Sequence, residues 1–401
     1  MLGFALLVKL GPLKTNSFHF ATAILSNLIC VLGTFAGQLD RWTARNSGVS
    51  ANLWGIAYGN NTFVATGDQG TILTSGDGIT WSSNNSGVMA VLRAVIFGGD
   101  QFVACGDRGT LITSTNGLVW TSQNLGIPNT LSAITSAKGK YVSVGSSGLV
   151  VTSENGREWA ARTSVVSGDL FSVAYGANTF IAVGSTAPRD AGLIFNSVDG
   201  VVWQNESPRG KSLAAISFGG GTFVAGGTYF SLAHDMILIS PDGITWADKS
   251  QGIAFSAIST VGFGNGIFVA VVHRLGPEGI LYSSDNGASW AIHDLSEGYN
   301  LSAIAFGNNS FVAVGSGGTI LQSDRVALAL LLSVQSTANQ EGFRLGIAGE
   351  VGQVCRLQAT SGFPTTNWVD LGTVTNDQPV VSFTDRSATN FTSRFYRVVS
   401  P

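Results

Sequence analysis

The 401-residue sequence is short of charge: Asp, Glu, Lys and Arg together make up 11% of it. It has only 9 Pro and 3 Cys, and its first acidic residue is Asp40. Scarce charge beside 44% hydrophobic residues excludes a disordered chain, which could not bury enough apolar surface to offset its entropy. Three widely spaced Cys exclude a disulfide-stapled miniprotein and a Cys-x-x-Cys metal site. With 21 basic against 24 acidic residues there is no cationic excess to neutralise phosphates, so no nucleic-acid partner is expected. No Gly-rich loop opens a helical pattern, so no phosphate cradle and no cofactor are implied. What abounds is Gly, 52 residues without a triplet period, as many tight turns between β-rich runs would use it.

The first 36 residues carry two charges, Lys9 and Lys14. A mostly apolar run over residues 18–35 follows and ends in Thr34-Phe35-Ala36. A basic start, an apolar stretch and small residues before a cut after Ala36 read as an export signal over 1–36. The alternative is an uncleaved membrane anchor, since about 18 apolar residues just span a bilayer. Membrane contact is expected only in that case. Cys30 is preceded by Asn27-Leu28-Ile29, not by the small residues of a lipid-attachment site. Cleavage leaves 19 basic and 24 acidic residues. Cys105 and Cys355 then remain, read as small buried hydrophobes.

Internal repetition decides the fold. Trp42, Trp81, Trp120 and Trp159 are each 39 residues apart, and Trp203, Trp246 and Trp290 follow at 44, 43 and 44. Six of them end a related string, such as Ser75-Gly-Asp77-Gly78-Ile-Thr-Trp81 or Ser114-Thr-Asn116-Gly117-Leu-Val-Trp120. The others contain Asn155-Gly156, Asp199-Gly200, Asp242-Gly243 and, one residue longer, Asp285-Asn-Gly287. Each unit also has an opening apolar segment, as in residues 53–58, a Gly/Asn turn, and a Phe-Val-Ala-x-Gly strand such as Phe63-Val-Ala-Thr-Gly67. A third short run leads into the Ser-x-Asp-Gly string. Four strands in about 40 residues make a β-propeller blade.

The last unit stops at Ser323-Asp324 without a Trp strand, whereas Arg41-Trp42-Thr43 precedes the first unit with no partner of its own. Pairing the two closes a ring and removes two open sheet edges. The expected fold is all-β: a seven-bladed propeller over 37–325, closed by its N-terminal strand, then a small antiparallel β-sandwich over 326–401. The latter rests on five or six strand-like pieces separated by Gly, Asn and Pro.

The Ser-x-Asp-Gly-x-x-Trp strings resemble Asp boxes, also called BNR repeats. The repeat with its Phe-Val-Ala-x-Gly strand is most similar to domains related to the photosystem II assembly and stability factor. Sialidases, sortilin-type receptors and some glucanases share such a propeller, so the resemblance implies a fold and leaves the chemistry open. The Arg-Ile-Pro motif of sialidases is missing; Ala187-Pro-Arg-Asp190 comes nearest and lies in the wrong blade. The ending, with Asn367-Trp368 and Arg394-Phe-Tyr-Arg397, resembles a C-terminal module of bacterial secreted proteins.

Six equivalent copies argue that Asp77, Asn116, Asn155, Asp199, Asp242 and Asp285 meet a structural need, bonding backbone N–H groups at a tight turn. The Trp of each unit is expected between blades, where burying about 200 Å² contributes roughly 5 kcal/mol gross. Candidate binding residues come instead from loop lengths. Four units join their second and third strands by minimal turns: Gly67-Asp-Gln-Gly70, Gly106-Asp-Arg-Gly109, Gly145-Ser-Ser-Gly148 and Gly315-Ser-Gly-Gly318. Three adjacent units carry insertions there, at residues 185–191, 228–235 and 273–278. They hold Arg189, Asp190, Tyr229, Phe230, His234, Asp235, His273, Arg274 and Glu278.

Long loops on a rigid scaffold are where function usually resides. The expectation is an exported, non-catalytic, monomeric scaffold. It would bind a protein or polysaccharide through these loops and the channel mouth, on the face opposite the Asp boxes. The alternative is a glycoside hydrolase using Asp190, Asp235 or Glu278, the carboxylates that such chemistry needs in pairs. His234, Asp235 and His273 have no diagnostic metal-ligand spacing, so no metal is expected.

Overall fold

The computed structural model describes residues 39–162, 168–186, 191–206, 212–228, 236–250, 257–273, 278–295, 298–326, 331–339, 342–348, 354–361, 367–375, 380–387 and 395–399. The chain divides into a compact unit over Ala36–Val326 and a second that contains Ala327–Pro401. The first is a ring of seven four-stranded antiparallel sheets. Blade 1 consists of Leu53–Gly59, Thr62–Gly67, Ile72–Ser75 and Ser82–Asn84, paired in chain order. Blades 2 to 6 repeat it, with first strands Leu92–Gly98, Leu131–Ala137, Gly168–Gly176, Ser212–Gly219 and Ala257–Gly264. Blade 7 takes Leu301–Gly307, Ser310–Gly315 and Ile320–Ser323 from the end of the unit and Trp42–Arg45 from its start. Trp42 sits opposite Ser323 and Arg45 opposite Ile320, so the two ends of the repeat knit into one sheet. Each first strand touches the first strands of both neighbouring blades, and the circle closes between Leu301–Gly307 and Leu53–Gly59.

The turns alternate between two faces because each blade is a meander. One face carries the turns from first to second strand, all seven with two successive residues at positive φ, such as Asn60 (46°) and Asn61 (56°). That is the sense of twist a two-residue hairpin needs. The same face carries the Ser-x-Asp/Asn-Gly turns. There Ser75 Oγ donates to Asp77 Oδ1 at 3.0 Å and accepts the Gly78 N–H at 2.8 Å. Asp77 Oδ1 accepts the N–H groups of Ile79 and Thr80 at 2.8 and 2.9 Å. Asn116 and Asn155 accept the equivalent pairs through their amide oxygens. Gly78 is required twice over: its φ is +75°, and a Cβ would lie 2.6 Å from Nε2 of Gln322 in the preceding blade. Trp81 Nε1 donates to the Gly78 carbonyl at 3.0 Å, and Trp42 makes the same bond to Leu39, at 3.1 Å, without a preceding box.

The Trp rings that end the six strings pack, as expected, against clusters shared by neighbouring blades, but they are less buried than the area reckoned above. Trp203 is buried, but Trp42, Trp81, Trp120, Trp159, Trp246 and Trp290 are half-buried. The indole caps the blade because its N–H must reach a turn carbonyl near solvent. The fully buried ring of each blade is the one that opens the Phe-Val-Ala-x-Gly strand: Phe63, Phe102, Phe180, Phe223, Phe268 and Phe311, with Tyr141, 4% exposed, in blade 3. Phe63 lies 6.3 Å from the Trp81 ring and 4.5 Å from Tyr58. The core clusters join residues of adjacent blades, for example Leu53, Phe63 and Leu73 with Val312, Val314 and Ile320.

The second unit contains two three-stranded antiparallel sheets. One orders Leu331–Asn339, Gly342–Ala348 and Val380–Asp385; the other orders Val369–Thr375, Val354–Thr360 and Phe395–Val399. Leu345 and Ile347 from the first share a core with Cys355, Leu357, Tyr396 and Val398 from the second. Tyr396 donates its hydroxyl to the buried Asp385 at 3.1 Å. Cys105 and Cys355 are both free thiols buried in apolar cores; burial pushes the Cys105 thiol up to about 12.

Candidate functional site

The face opposite the Ser-x-Asp/Asn-Gly turns carries the second-to-third-strand connections and the blade-to-blade links. In blades 1, 2, 3 and 7 the connection is a three-residue turn: Asp68–Gly70, Asp107–Gly109, Ser146–Gly148 and Ser316–Gly318. The middle residue of each has φ between 54° and 62°. The backbone groups at these turns are satisfied locally: Gly67 N–H donates to Thr71 O at 3.0 Å, and Asp68 N–H to Asn52 O at 2.9 Å.

Each first strand has a β-bulge near its start on this face, just after the Leu or Ile that opens its apolar pattern. The bulged residues are Trp54, Arg93, Ser132, Phe171, Ala214, Ser259 and Ser302, in blades 1 to 7. All seven are half-buried. A bulge leaves a residue out of the ladder and re-aims its side chain. Repeated around the ring, it sets seven side chains at the mouth of the channel.

The mouth is asymmetric. On blades 1 and 2, Trp54 Nε1 donates to Asp68 Oδ1 at 2.6 Å, and Asn52 Nδ2 donates to Asp68 Oδ2 at 2.8 Å. Arg93 Nε donates to Asp107 Oδ1 at 2.8 Å and Nη2 to Oδ2 at 3.3 Å, a two-pronged pair. Its guanidinium lies 5.4 Å from the Trp54 ring centroid, within cation–π range. Thr130 Oγ1 adds a third donor to Asp107, at 3.1 Å. Side-chain exposures of 36% for Arg93 and 27% for Asp107 leave the pair open to a ligand. The large side chains fall on blades 1, 2 and 4, with Ser132 of blade 3 between the last two, whereas blades 5, 6 and 7 carry Ala214, Ser259 and Ser302. Asp68 and Asp107 are tied to neighbouring side chains.

The insertions interrupt the minimal turn on blades 4, 5 and 6, three neighbours in the ring. Arg189 and Asp190 in blade 4, Tyr229, Phe230, His234 and Asp235 in blade 5, and Arg274 in blade 6 lie outside the described residues. Of the first loop the stem is defined: Thr186 N–H donates to Ala191 O at 2.9 Å. Of the third, His273 and Glu278 are brought together across the insertion, with His273 Nδ1 2.8 Å from Glu278 Oε1. That distance suits an ion pair, but the approach lacks the direction of a hydrogen bond, and Oε1 accepts none. Glu278 is 5% exposed, and its Oε2 accepts the Leu301 N–H of blade 7 at 3.3 Å. Buried and joined to the next blade, Glu278 stitches blade 6 to blade 7. Among the described residues no group of three or more His, Cys, Asp or Glu is placed to hold a metal.

The bulge ring escaped sequence reasoning. Residues 54, 93, 132, 171, 214, 259 and 302 vary from blade to blade, but so do 57, 96, 135, 174, 217, 262 and 305 in the same strands, and a bulge is invisible until register is known.

No family model and no curated protein matches the sequence. Solved structures do. YCF48 from Cyanidioschyzon merolae matches with a TM-score of 0.56 at 20% identity, over 70% of this chain and 98% of that one. YCF48 bound to D1 peptide matches at 0.55 and 16%, over 70% and 94%. A virginiamycin B lyase from Staphylococcus aureus matches at 0.59 and 9%, over 71% and 99%. These likenesses establish the propeller fold. At such identities they establish nothing further: one is of a protein seen with a peptide, another of an enzyme.

Proposed function

We propose that the chain is an exported, non-catalytic propeller scaffold that binds a protein partner at the channel mouth on the face opposite the Ser-x-Asp/Asn-Gly turns. The observation that carries this reading is where the sevenfold pattern breaks. The four-stranded meander, the first hairpin turn and the buried aromatic ring are repeated around the ring. The connection from second to third strand and the bulged residue beside it are what vary, and both lie on one face. Trp54, Arg93 and Phe171 supply an aromatic and cationic wall. Aromatic residues and Arg are the side chains that carry most binding energy at protein interfaces. Ala214, Ser259 and Ser302 leave room beside that wall, and the insertions with Arg189, Asp190, Tyr229, Phe230, His234, Asp235 and Arg274 belong to blades 4, 5 and 6. The propeller seen with D1 peptide is a precedent in fold for a protein ligand. A polysaccharide would use the same aromatic wall by stacking.

The test is selection of binding peptides from a displayed library against the full chain, followed by affinity measurement. Trp54→Ala and Arg93→Ala should each weaken the selected peptides about tenfold or more. Arg157→Ala, on the opposite face, should leave them unchanged. Equal binding by all three variants rejects the site.

A second reading, a polysaccharide-active hydrolase, draws on the His273–Glu278 pair at the base of an inserted loop. Turnover of any glycoside in a substrate panel, abolished by Asp235→Asn or Asp190→Asn, would establish it over the scaffold. The burial of Glu278 and its bond to Leu301 weigh against that residue as the acid.

A further inference from the structure

The face with the Ser-x-Asp/Asn-Gly turns displays aliphatic side chains that its own fold does not use. Ile79, Leu118, Val119, Val198, Val202 and Ile244 are between 50% and 74% exposed, and all six stand in these turns, on blades 1, 2, 4 and 5. The polar groups of each turn are already paired, the Asp or Asn oxygen with two N–H groups and the Ser hydroxyl with a third. The Gly of each turn faces the preceding blade. Each of these four tips therefore offers exposed aliphatic side chains outward beside its Asp or Asn. The turn does not require this: blade 3 makes the same turn with Arg157 and Glu158 at these positions, and blade 6 with Ala288 and Ser289.

We propose that this face docks on the surface of a lipid bilayer, leaving the channel mouth and its loops toward the aqueous side. Two observations select that occupant. The aliphatic residues come one or two per turn on separate blades. A bilayer takes scattered tips because it has no fixed shape to match, whereas a protein partner needs a contiguous complementary patch. The chain also enters the ring on this face. Trp42 pairs with Ser323 at the turn end of blade 7 and bonds Leu39. Ala36 is three residues before Leu39, at most about 11 Å of chain. If the apolar run of residues 18–35 is the uncleaved anchor of the alternative reading above, it joins the ring through this entry strand. The carboxylates of Asp77, Asp199 and Asp242 stay ionised among those tips, which favours zwitterionic over anionic headgroups.

The test uses the full chain with Cys30→Ser, so that a single introduced thiol can be labelled while Cys105 and Cys355 stay buried. An environment-sensitive fluorophore is placed by Val119→Cys or Val202→Cys, and on the opposite face by Arg108→Cys. Phosphatidylcholine vesicles with brominated acyl chains should quench the probes at 119 and 202 several-fold more than the probe at 108. Replacing half the lipid by phosphatidylserine should reduce that quenching. The combination I79T, L118T, V202T and I244T, read by the probe at 119, should abolish it. Val202→Thr matches Thr80 and Thr245 at the same place in their turns, the position of Ile79, Leu118 and Ile244 is held by the polar Arg157 in blade 3, and an unchanged near-UV spectrum confirms the fold. Equal quenching on both faces, no association with vesicles, or association through the N-terminal segment without quenching at 119 overturns the proposal. So does shielding of the 119 probe that rises with protein concentration in the absence of lipid, which would assign the face to a second copy of the chain.

Discussion

Blades 1, 2, 3 and 7 differ from blades 4, 5 and 6 in one place, the path from second to third strand. In the first group three residues turn the chain, with a left-handed residue in the middle and a Gly last. In the second group the same strands are joined by longer segments, yet their pairing is as regular: Phe180 faces Ser197 and Phe223 faces Ser240, just as Phe63 faces Ser75. The sheet is therefore specified by its strands and by the turns on the other face. The connection on the mouth face is either a tight structural element or a place where sequence can change without cost to the ring. The variants below test that division, from the largest expected effect to the smallest.

Gly318→Val attacks the tight version. Gly318 has φ +75°, and a Cβ there would lie 2.0 Å from the Val49 carbonyl oxygen and 2.8 Å from Ser47 Oγ. Both contacts belong to the link that follows the closing strand, so the clash falls where the ring is sealed. A loss of about 3 kcal/mol or more is expected in denaturant unfolding. Gly109→Ala should cost less, because its nearest neighbour is the Ile127 side chain at 2.5 Å, which can move.

Glu278→Ala tests whether the elaborated side has replaced backbone economy by side-chain bonds. It removes the acceptor of the Leu301 N–H and leaves that buried donor unpaired, for a loss of about 2 kcal/mol. Glu278→Gln keeps an acceptor and should recover most of it. Equal losses from the two would mean that the pairing with His273, and not the bond to blade 7, is what matters.

Grafting the short turn onto the long side is the converse. Replacing residues 228–235 by Asp-Gln-Gly, the 68–70 turn, should change stability by no more than about 1 kcal/mol, since loop length enters closure entropy only logarithmically. Partner binding should be lost. If the ring instead unfolds, the insertion is part of the scaffold.

Much of this contrast could be read from residues alone. The 39-residue interval between Trp42 and Trp81 placed the closing strand opposite Ser323 because a ring of repeats has only one partner for each loose end. Gly67-Asp-Gln-Gly70 was legible as a turn because Gly at both ends leaves little else for it to be. The relative burial of Phe63 and Trp81 was not legible. Both are large aromatics at fixed places in the repeat, and only the N–H of Trp81, reaching for the Gly78 carbonyl, decides which one stays near solvent. The mouth residues were hidden for another reason. Trp54 reads as one more apolar residue in a strand, and its meeting with Arg93 and Asp68 depends on a bulge and on the neighbouring blade.

The smallest effect concerns the other face and separates blades by charge. Bonds from the Thr80 and Ile79 N–H groups hold the Asp77 carboxyl below its usual 3.8. Bonds from Val202 and Val201 do the same for Asp199, and those from Thr245 and Ile244 for Asp242. For Asp285 burial pushes the other way, but the bonds from Ser289 and Ser283 together outweigh it. A carboxyl with a lowered folded value stabilises the fold fully above the unfolded value, and that contribution fades as pH falls below about 3.8 through the folded one. Blades 2 and 3 accept the same bonds through the neutral amides of Asn116 and Asn155, which do not titrate. Acid should therefore loosen the turns of blades 1, 4, 5 and 6 before those of blades 2 and 3. Hydrogen exchange of the Thr80, Val202 and Thr245 amides, compared with Val119 and Glu158 between pH 5 and pH 3, reads the difference directly. Asp77→Asn should remove it in blade 1 alone, because the amide oxygen keeps both bonds while the proton linkage disappears.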